Sequence, residues 1–116
     1  MNPLAEKREI YARKLDEAKQ HLVHVLSQMP GVERIILFGS YSRGRKDLLT
    51  DLDVLVILRT SLGFLERLKF LYQSLALPVD LDLICLTPEE LEAVKEKPFF
   101  RKILEEGIVL YEKGRA

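Results

Sequence analysis

The chain has 116 residues, of which 47% are hydrophobic and 31% are charged, with 18 basic and 18 acidic side chains. This length and composition predict one compact domain spanning residues 1–116, with no room for an accessory domain. The formal net charge of zero excludes strong nonspecific binding of nucleic acid, because such binding needs lysines and arginines clustered over a surface.

Apolar residues in the first quarter of the chain recur at helical spacings, which predicts a long amphipathic helix. The pattern begins after Asn2-Pro3, a pair typical of a helix start, and ends at Pro30-Gly31. The apolar stripe consists of Leu4, Tyr11, Leu15, Ala18, Leu22, Val25, Leu26 and Met29. His21 and His24 lie on this helix without an acidic partner at ligand spacing, so we expect them at the surface rather than in a metal or catalytic site.

The segment Val32–Phe38 predicts a buried strand, since it is mostly apolar and rich in β-branched residues. Gly39 and Ser40 follow it directly. Gly39 lacks a Cβ, so its backbone can adopt unusual dihedral angles and let a bulky anion approach, while Ser40 offers a hydroxyl and a backbone N–H. Phosphate oxygens accept hydrogen bonds from such donors, which makes this turn a candidate phosphate site.

Residues 41–50 form a basic loop with three cationic side chains, Arg43, Arg45 and Lys46. Positive charge therefore lies next to the candidate phosphate site. Each of these side chains could equally belong to a solvated loop that neighbouring acids balance. We favour Arg43 as a phosphate ligand, because it comes three residues after Ser40 on a predicted short helix whose N-terminus also attracts anions.

A second apolar strand is predicted over residues 51–58 and begins with two aspartates. Side chains two residues apart on a strand share a face, about 6.5–7 Å apart, so Asp51 and Asp53 are expected to point the same way. Carboxylates held together at the end of a hydrophobic strand repel each other, and a shared proton or a bound cation relieves the repulsion. Because Mg²⁺ prefers oxygen ligands and shares them with substrate phosphates, the turn and the aspartates together indicate a site for a metal and a triphosphate.

Residues 61–77 repeat apolar side chains at helical intervals up to Pro78 and predict a helix whose apolar face belongs to the core. A third strand is predicted before Thr87, with Asp80 and Asp82 on one face of it. Either aspartate could add a carboxylate to the site. Cys85 is the only cysteine and lies in this apolar strand, so we expect a buried thiol and no intramolecular disulfide.

The run Thr87-Pro88-Glu89-Glu90 combines an N-cap, a proline at the first helical position and a capping-box glutamate, which predicts a helix start. This helix is expected to bend or restart at Pro98 and to end at Gly107, before a short last strand, Ile108–Tyr111. The order helix, strand, site loop, strand, helix, strand, helix, strand predicts an α/β (α+β) fold with a mixed sheet of about four strands flanked by helices.

Gly39-Ser40, a spacer of ten residues and the pair Asp51 and Asp53 form one joint pattern, which chance rarely produces between two predicted strands. With this motif the chain resembles the nucleotidyltransferase superfamily that includes DNA polymerase beta and the aminoglycoside nucleotidyltransferases. It is most similar to the small stand-alone members called minimal nucleotidyltransferases, or MNT proteins, in which a spacer of this length is typical. The resemblance covers residues 32–111, and the first helix is also in keeping with it.

The resemblance implies a mixed-sheet fold and a reaction with ATP as substrate, in which Asp51, Asp53 and a third carboxylate hold two Mg²⁺ ions and carry out catalysis. We expect the third carboxylate to be Asp82, because its distance from the following Thr-Pro pair is the one seen in MNT proteins. Asp80 stays an alternative, since it follows the Pro-Val pair that often precedes the family's acid. The triphosphate is expected to bind to Gly39, Ser40 and Arg43.

Larger relatives recognise their acceptor with a second domain, so a partner is expected to supply the acceptor here. Many MNT proteins are antitoxins that silence a HEPN ribonuclease by attaching AMP to a tyrosine, and the resemblance implies the same role. Two alternatives stay open: a binding module that blocks its partner by occlusion, and transfer to a small molecule or a nucleic acid end. The lone cysteine suits a reducing cytoplasm, and no apolar run approaches the roughly 18 residues that indicate a membrane span.

Overall fold

The computed structural model describes residues 2–114 and contains, within them, five helices and four strands. The mixed α/β fold predicted from the sequence is confirmed. In chain order the elements are α1 Pro3–Ser27, β1 Val32–Phe38, α2 Gly39–Ser42, β2 Leu52–Leu58, α3 Phe64–Ser74, β3 Leu81–Leu86, α4 Pro88–Val94, α5 Pro98–Glu106 and β4 Ile108–Glu112. No helix in this part of the chain is both long enough and apolar enough to cross a membrane.

The four strands form one sheet in the order β3-β2-β1-β4. β1 is antiparallel to both β2 and β4, whereas β2 and β3 are parallel and are joined through α3, because a parallel pair needs a crossover connection. This topology brings the C-terminal end of β1 and the N-terminal ends of β2 and β3 together at one end of the sheet. Phe38 is the register partner of Asp53, and Asp53 is the register partner of Asp82.

The two faces of the sheet bury different helices. On one face, α1 and α3 pack on alternate residues of the central strands, with Leu22, Ile35, Val54 and Leu71 among the side chains shielded from solvent. On the other face, α4 and α5 cover a smaller cluster of Ile36, Leu55, Ile57, Leu86 and Ile103. Because strand side chains alternate between faces, Asp53 lies on the same face as Leu55, the face that α4 and α5 cover.

The helix boundaries follow from local capping. The Asn2 side chain accepts a hydrogen bond from the Leu4 N–H at 3.0 Å and begins α1. The capping box predicted at the start of α4 is confirmed: the Thr87 hydroxyl accepts from the Glu90 N–H at 3.2 Å, and the Glu90 carboxylate accepts from the Thr87 N–H at 2.9 Å. The predicted restart at Pro98 is also confirmed, since α5 begins there as a separate helix.

Helix α3 is shorter than the predicted range of residues 61–77. A turn replaces its first residues, because the Leu62 N–H donates to the Thr60 hydroxyl at 3.1 Å and the Leu62 carbonyl accepts from the Arg67 guanidinium at 3.0 Å. At the other end, Leu75 is already extended, with φ −118° and ψ 111°. The apolar spacing continues beyond both ends of the helix, so periodicity alone overestimates its length.

Candidate active site

Two aspartates lie side by side where β2 and β3 begin. Asp53 and Asp82 are direct neighbours in the parallel ladder, and their carboxyl groups interact electrostatically. Asp51 precedes β2 on the same side as Asp53. Burial first, and then the negative charges of Asp82 and Asp51, raise the pKa of Asp53 to about 6, although the positive charge of Arg43 acts in the opposite direction. The three carboxyl groups therefore share one electrostatic environment.

Asp80, the alternative third carboxylate, lies one residue before β3. Its backbone carbonyl accepts a hydrogen bond from the Leu52 N–H at 3.0 Å, which extends the ladder past the end of the strand. The Tyr11 hydroxyl lies nearby and donates to the Thr50 carbonyl at 2.9 Å. Burial first, and then the charges of Asp80 and Asp51, raise the pKa of Tyr11. Asp80 thus lies beside α1, whereas Asp82 is the residue that contacts Asp53.

The donor chemistry of these aspartates fits a hard divalent cation. Like charges at short range are unfavourable, and a bound cation would remove the penalty that the raised pKa of Asp53 reports. Within residues 2–114 no three side chains of His, Cys, Asp or Glu are already gathered as a complete metal cage. Mg²⁺ does not need such a cage, because it usually binds through one or two carboxylates together with water and substrate phosphates.

Gly39 brings the turn into contact with the carboxylates. Its φ is +77°, a left-handed conformation that glycine adopts without strain. A Cβ at this position would lie 2.9 Å from the Asp53 Cγ and would overlap a carboxylate oxygen of the same side chain. Any other residue would therefore push the turn and Asp53 apart. Ser40 and the rest of the short helix α2 follow, closed by a hydrogen bond from the Ser42 hydroxyl to the Gly39 carbonyl at 2.6 Å.

The three cations of the basic loop have different partners. Arg45 donates to Asp47 at 2.6 Å, and Lys46 forms an ion pair with Asp16 of α1 at 3.2 Å. Arg43 forms no ion pair with any carboxylate of residues 2–114, and its charge acts on Asp53. Arg43 is therefore the loop cation that remains available to an anionic ligand.

The basic loop is anchored to α1 by a contact that the sequence did not reveal. The Tyr41 side chain is buried, and its hydroxyl donates to the Asp16 carboxylate. This hydrogen bond is the main cause of a lowered pKa for Asp16, and Asp16 also pairs with Lys46. The ammonium groups of Lys19 and Lys46 lie 5.9 and 5.7 Å from the Tyr41 ring centre, within cation–π range. No local pattern links residues 25 positions apart, so only the fold shows this anchor.

A cleft of about 330 Å³ lies between the turn and α5. Gly39, Ser42 and Arg43 contribute to it from the turn, and Phe99 and Lys102 contribute from α5. The Phe99 ring meets the ring of Phe38 edge to face, with centres 6.1 Å apart. The cleft thus adjoins the carboxylates at Gly39, and no local sequence pattern predicted that α5 would border the site.

Comparison with known proteins places this geometry in a family. Residues 20–116 match the family described as polymerase beta, nucleotidyltransferase. The chain is a member of this nucleotidyltransferase family. The predicted membership is confirmed, and the class of reaction is that of a transferase. No curated protein matches the chain in sequence.

Solved structures share the fold of this nucleotidyltransferase. A candidate nucleotidyltransferase from Sulfolobus solfataricus is similar at a TM-score of 0.57 and 17% identity, covering 100% of this chain and 93% of that one. A mutant of the toxin–antitoxin MntA-HpeT, with tyrosine replaced by alanine, is similar at a TM-score of 0.56 and 25% identity, covering 85% of this chain and 73% of that one. A toxin–antitoxin structure with AMP-PNP reaches a TM-score of 0.56 at 24% identity, covering 84% and 73%.

Proposed function

We propose that this nucleotidyltransferase moves AMP from ATP to a hydroxyl group of a partner protein in the cytoplasm, with Mg²⁺ as cofactor. The observation that carries the proposal is the contact between Asp53 and Asp82, next to Asp51 and against Gly39. A cluster of carboxylates at the end of two strands, one of which, Asp53, has a raised pKa, is typical of a site that binds a cation and reacts. Membership of the family supplies the class of reaction.

Each site residue has a proposed task. Asp51, Asp53 and Asp82 bind two Mg²⁺ ions, which supply positive charge to the phosphate oxygens and to the acceptor oxygen. Asp82 also accepts the proton of the acceptor hydroxyl, since it is the more exposed carboxylate of the contacting pair. The triphosphate is held by the remaining site residues, Gly39, Ser40 and Arg43.

The reaction follows from these tasks. The acceptor oxygen forms a bond to the α-phosphorus, the bond from that phosphorus to the bridging oxygen breaks, and pyrophosphate leaves with the negative charge. The backbone N–H groups of the turn and the Arg43 guanidinium offset this charge as it develops. Chemistry of this kind depends mainly on positioning and electrostatics, which is what a rigid turn pressed against Asp53 provides.

The proposed partner is a HEPN ribonuclease toxin. Similarity to the toxin–antitoxin MntA-HpeT, over 85% of this chain, supports a role as an antitoxin. The resemblance to MNT proteins supports a tyrosine of the toxin as the acceptor. Larger nucleotidyltransferases carry an acceptor domain of their own, whereas the described residues of this chain form one sheet with its covering helices.

The test is transfer of label from ATP that carries a radioactive α-phosphate to a purified HEPN partner, with Mg²⁺ present. We expect a covalent adduct of one or more AMP units by intact-mass measurement, and its loss in Asp53→Asn and Asp82→Asn. Asp80→Asn is the matched control, since Asp80 lies one residue outside β3 and should retain transfer. A stable complex without label would indicate occlusion instead, and label on a small molecule or a nucleic acid end would replace the proposed acceptor.

A further inference from the structure

The cleft between the turn and α5 contains a cation, Lys102, to which the proposed reaction assigns no task. Phe99, Lys102, Ile103 and Glu106 line it from one face of α5, because residues three and four apart on a helix are neighbours. Arg43 lines it from the other side. Arg43 and Lys102 are the two cations among the lining residues, and Glu106 is the one acid, so the cleft has a net positive charge.

Lys102 is not neutralised by its neighbours. In the described part of the chain it forms no ion pair, even with Glu106 one helical turn away, and Arg43 forms none either. Arg101, the preceding residue of α5, instead pairs with Glu105 at 3.0 Å. Two unpaired cations that face one cleft, next to the Gly39 turn, indicate an anionic ligand.

The position of the cleft specifies which part of the substrate can reach it. Gly39 both lines the cleft and lies against the Asp53 carboxylate. A triphosphate whose α-phosphate lies at Asp53 and Asp82 therefore enters the cleft with its β- and γ-phosphates as it passes the turn. The aromatic contacts of Phe99 with Phe38 and Phe100, at 6.1 and 5.1 Å between ring centres, fix α5 and with it the position of Lys102.

We infer that Lys102 of α5 is a further phosphate-binding residue of the enzyme, which acts with Arg43 to bind the β- and γ-phosphates of ATP and then the departing pyrophosphate in this cleft. The inference rests on the proposed function for its substrate, but it concerns a residue and a helix to which that function assigns no task. Apolar groups such as Phe38, Phe99 and Ile103 line much of the cleft. An apolar lining lowers the local dielectric constant, which strengthens the attraction between the cations and the phosphates.

Binding measurements on three probes test the subsite. Isothermal titration calorimetry would compare pyrophosphate, ATP and AMP, each with Mg²⁺, on the wild type and on Lys102→Gln. We expect the Kd for pyrophosphate and for ATP to rise about tenfold, as the loss of one charge-assisted contact predicts, while the Kd for AMP stays unchanged. Lys102→Arg should restore binding. Lys69→Gln is the matched control, because Lys69 is an exposed, unpaired lysine of α3 on the opposite face of the sheet.

Three outcomes would overturn the inference: no binding of pyrophosphate to the wild type, equal binding to Lys102→Gln, or a nucleobase in the cleft. The Phe99 side chain is 54% exposed and could stack on a base. In that case Phe99→Ala would weaken AMP and ATP equally and leave pyrophosphate unaffected. Failure of the proposed function looks different, since the partner would then carry no AMP, or transfer to it would persist in Asp53→Asn, whereas the pyrophosphate measurements do not depend on transfer.

Discussion

Two charged clusters of this molecule differ in how their charge is balanced. Arg67, only 4% exposed, forms an ion pair with Glu90 and donates to the carbonyls of Leu62 and Cys85 at 3.0 and 3.3 Å. These contacts connect α3, β3 and α4. Asp53 and Asp82, by contrast, are like charges in contact, with Asp51 close by. The charge of the first cluster is balanced within the protein, and that of the second is not.

The charge of Arg67 supports the fold, whereas the charges of the aspartates around Asp53 are those of the proposed cation site. Burial of a charge is unfavourable unless partners compensate it, and the protein supplies those partners to Arg67. At Asp53 the protein supplies burial and further negative charge, and both raise the pKa of its carboxyl group. The direction of a pKa shift thus distinguishes the two clusters: the pKa of Glu90 is lowered by its hydrogen bond to Arg67, and that of Asp53 is raised.

The largest expected effect is on activity. Replacing Asp53 with asparagine should lower the rate of AMP transfer by about a thousandfold, since it removes a proposed ligand of the metal. The free energy of unfolding of Asp53→Asn, measured without metal, should not fall below that of the wild type, because the substitution also removes the charge repulsion with Asp82 and Asp51. Transfer assays and urea denaturation in EDTA measure the two quantities. If Asp53→Asn lost activity only because it unfolded, Asp53 would support the fold as Arg67 does, and the difference between the two clusters would be contradicted.

The next effect is on stability. Arg67→Ala should lower the free energy of unfolding by about 3 kcal/mol, because it leaves a buried cavity and two carbonyl groups without their donor. Arg101→Ala is the control. Both side chains of the ion pair between Arg101 and Glu105 are exposed to solvent, so the pair should contribute less than about 1 kcal/mol to the free energy of unfolding. Urea denaturation followed by circular dichroism measures both. Equal effects of the two substitutions would contradict the structural role of Arg67.

The smallest expected effect is a pH dependence of stability. Because the folded-state pKa of Asp53 is raised to about 6, its protonated form stabilises the fold below the unfolded pKa of about 4. That contribution is lost as the pH rises through 6. Discounted for solvent screening of a partly exposed group, the loss is about 1 kcal/mol.

The measurement is the difference in free energy of unfolding between wild type and Asp53→Asn, in EDTA, from pH 4 to pH 7.5. The difference cancels the contributions of other acids, such as Asp16 and Glu90, whose pKa values are lowered and which stabilise the fold more as the pH rises. We expect the wild type to lose stability relative to the variant across this range, and Mg²⁺ with ATP at pH 7.5 to restore it. A difference that does not change with pH would contradict the raised pKa of Asp53 and its cause, burial next to Asp82 and Asp51.

Much of the fold could be predicted from local sequence. The four strands, the capping box at Thr87 and the restart at Pro98 depend on neighbouring residues, and each is confirmed. Alternation along a strand placed Asp51 and Asp53 on one side. The contact between Asp53 and Asp82 could not be derived in this way, because the register of the parallel pair depends on how α3 crosses the sheet.

The surroundings of the candidate site were also beyond local pattern. The three cations of the basic loop look alike in sequence, and only the partners Asp16 and Asp47 distinguish Lys46 and Arg45 from Arg43. The cleft joins residues such as Gly39 and Lys102, which are far apart in the chain. Apolar periodicity overestimated the length of α3, since side-chain hydrogen bonds of Thr60 and Arg67 stabilise a turn in place of its first residues.

The contact between Asp16 and Tyr41 bears on where the N-terminal boundary of this nucleotidyltransferase domain lies. The family match begins at residue 20, after Asp16 and after the core residue Leu15. A truncated version that started at the match would leave the Tyr41 hydroxyl and the Lys46 ammonium without their shared acceptor. The segment that the family match leaves out therefore supports the basic loop beside the candidate site, and an excised fragment would lack that support.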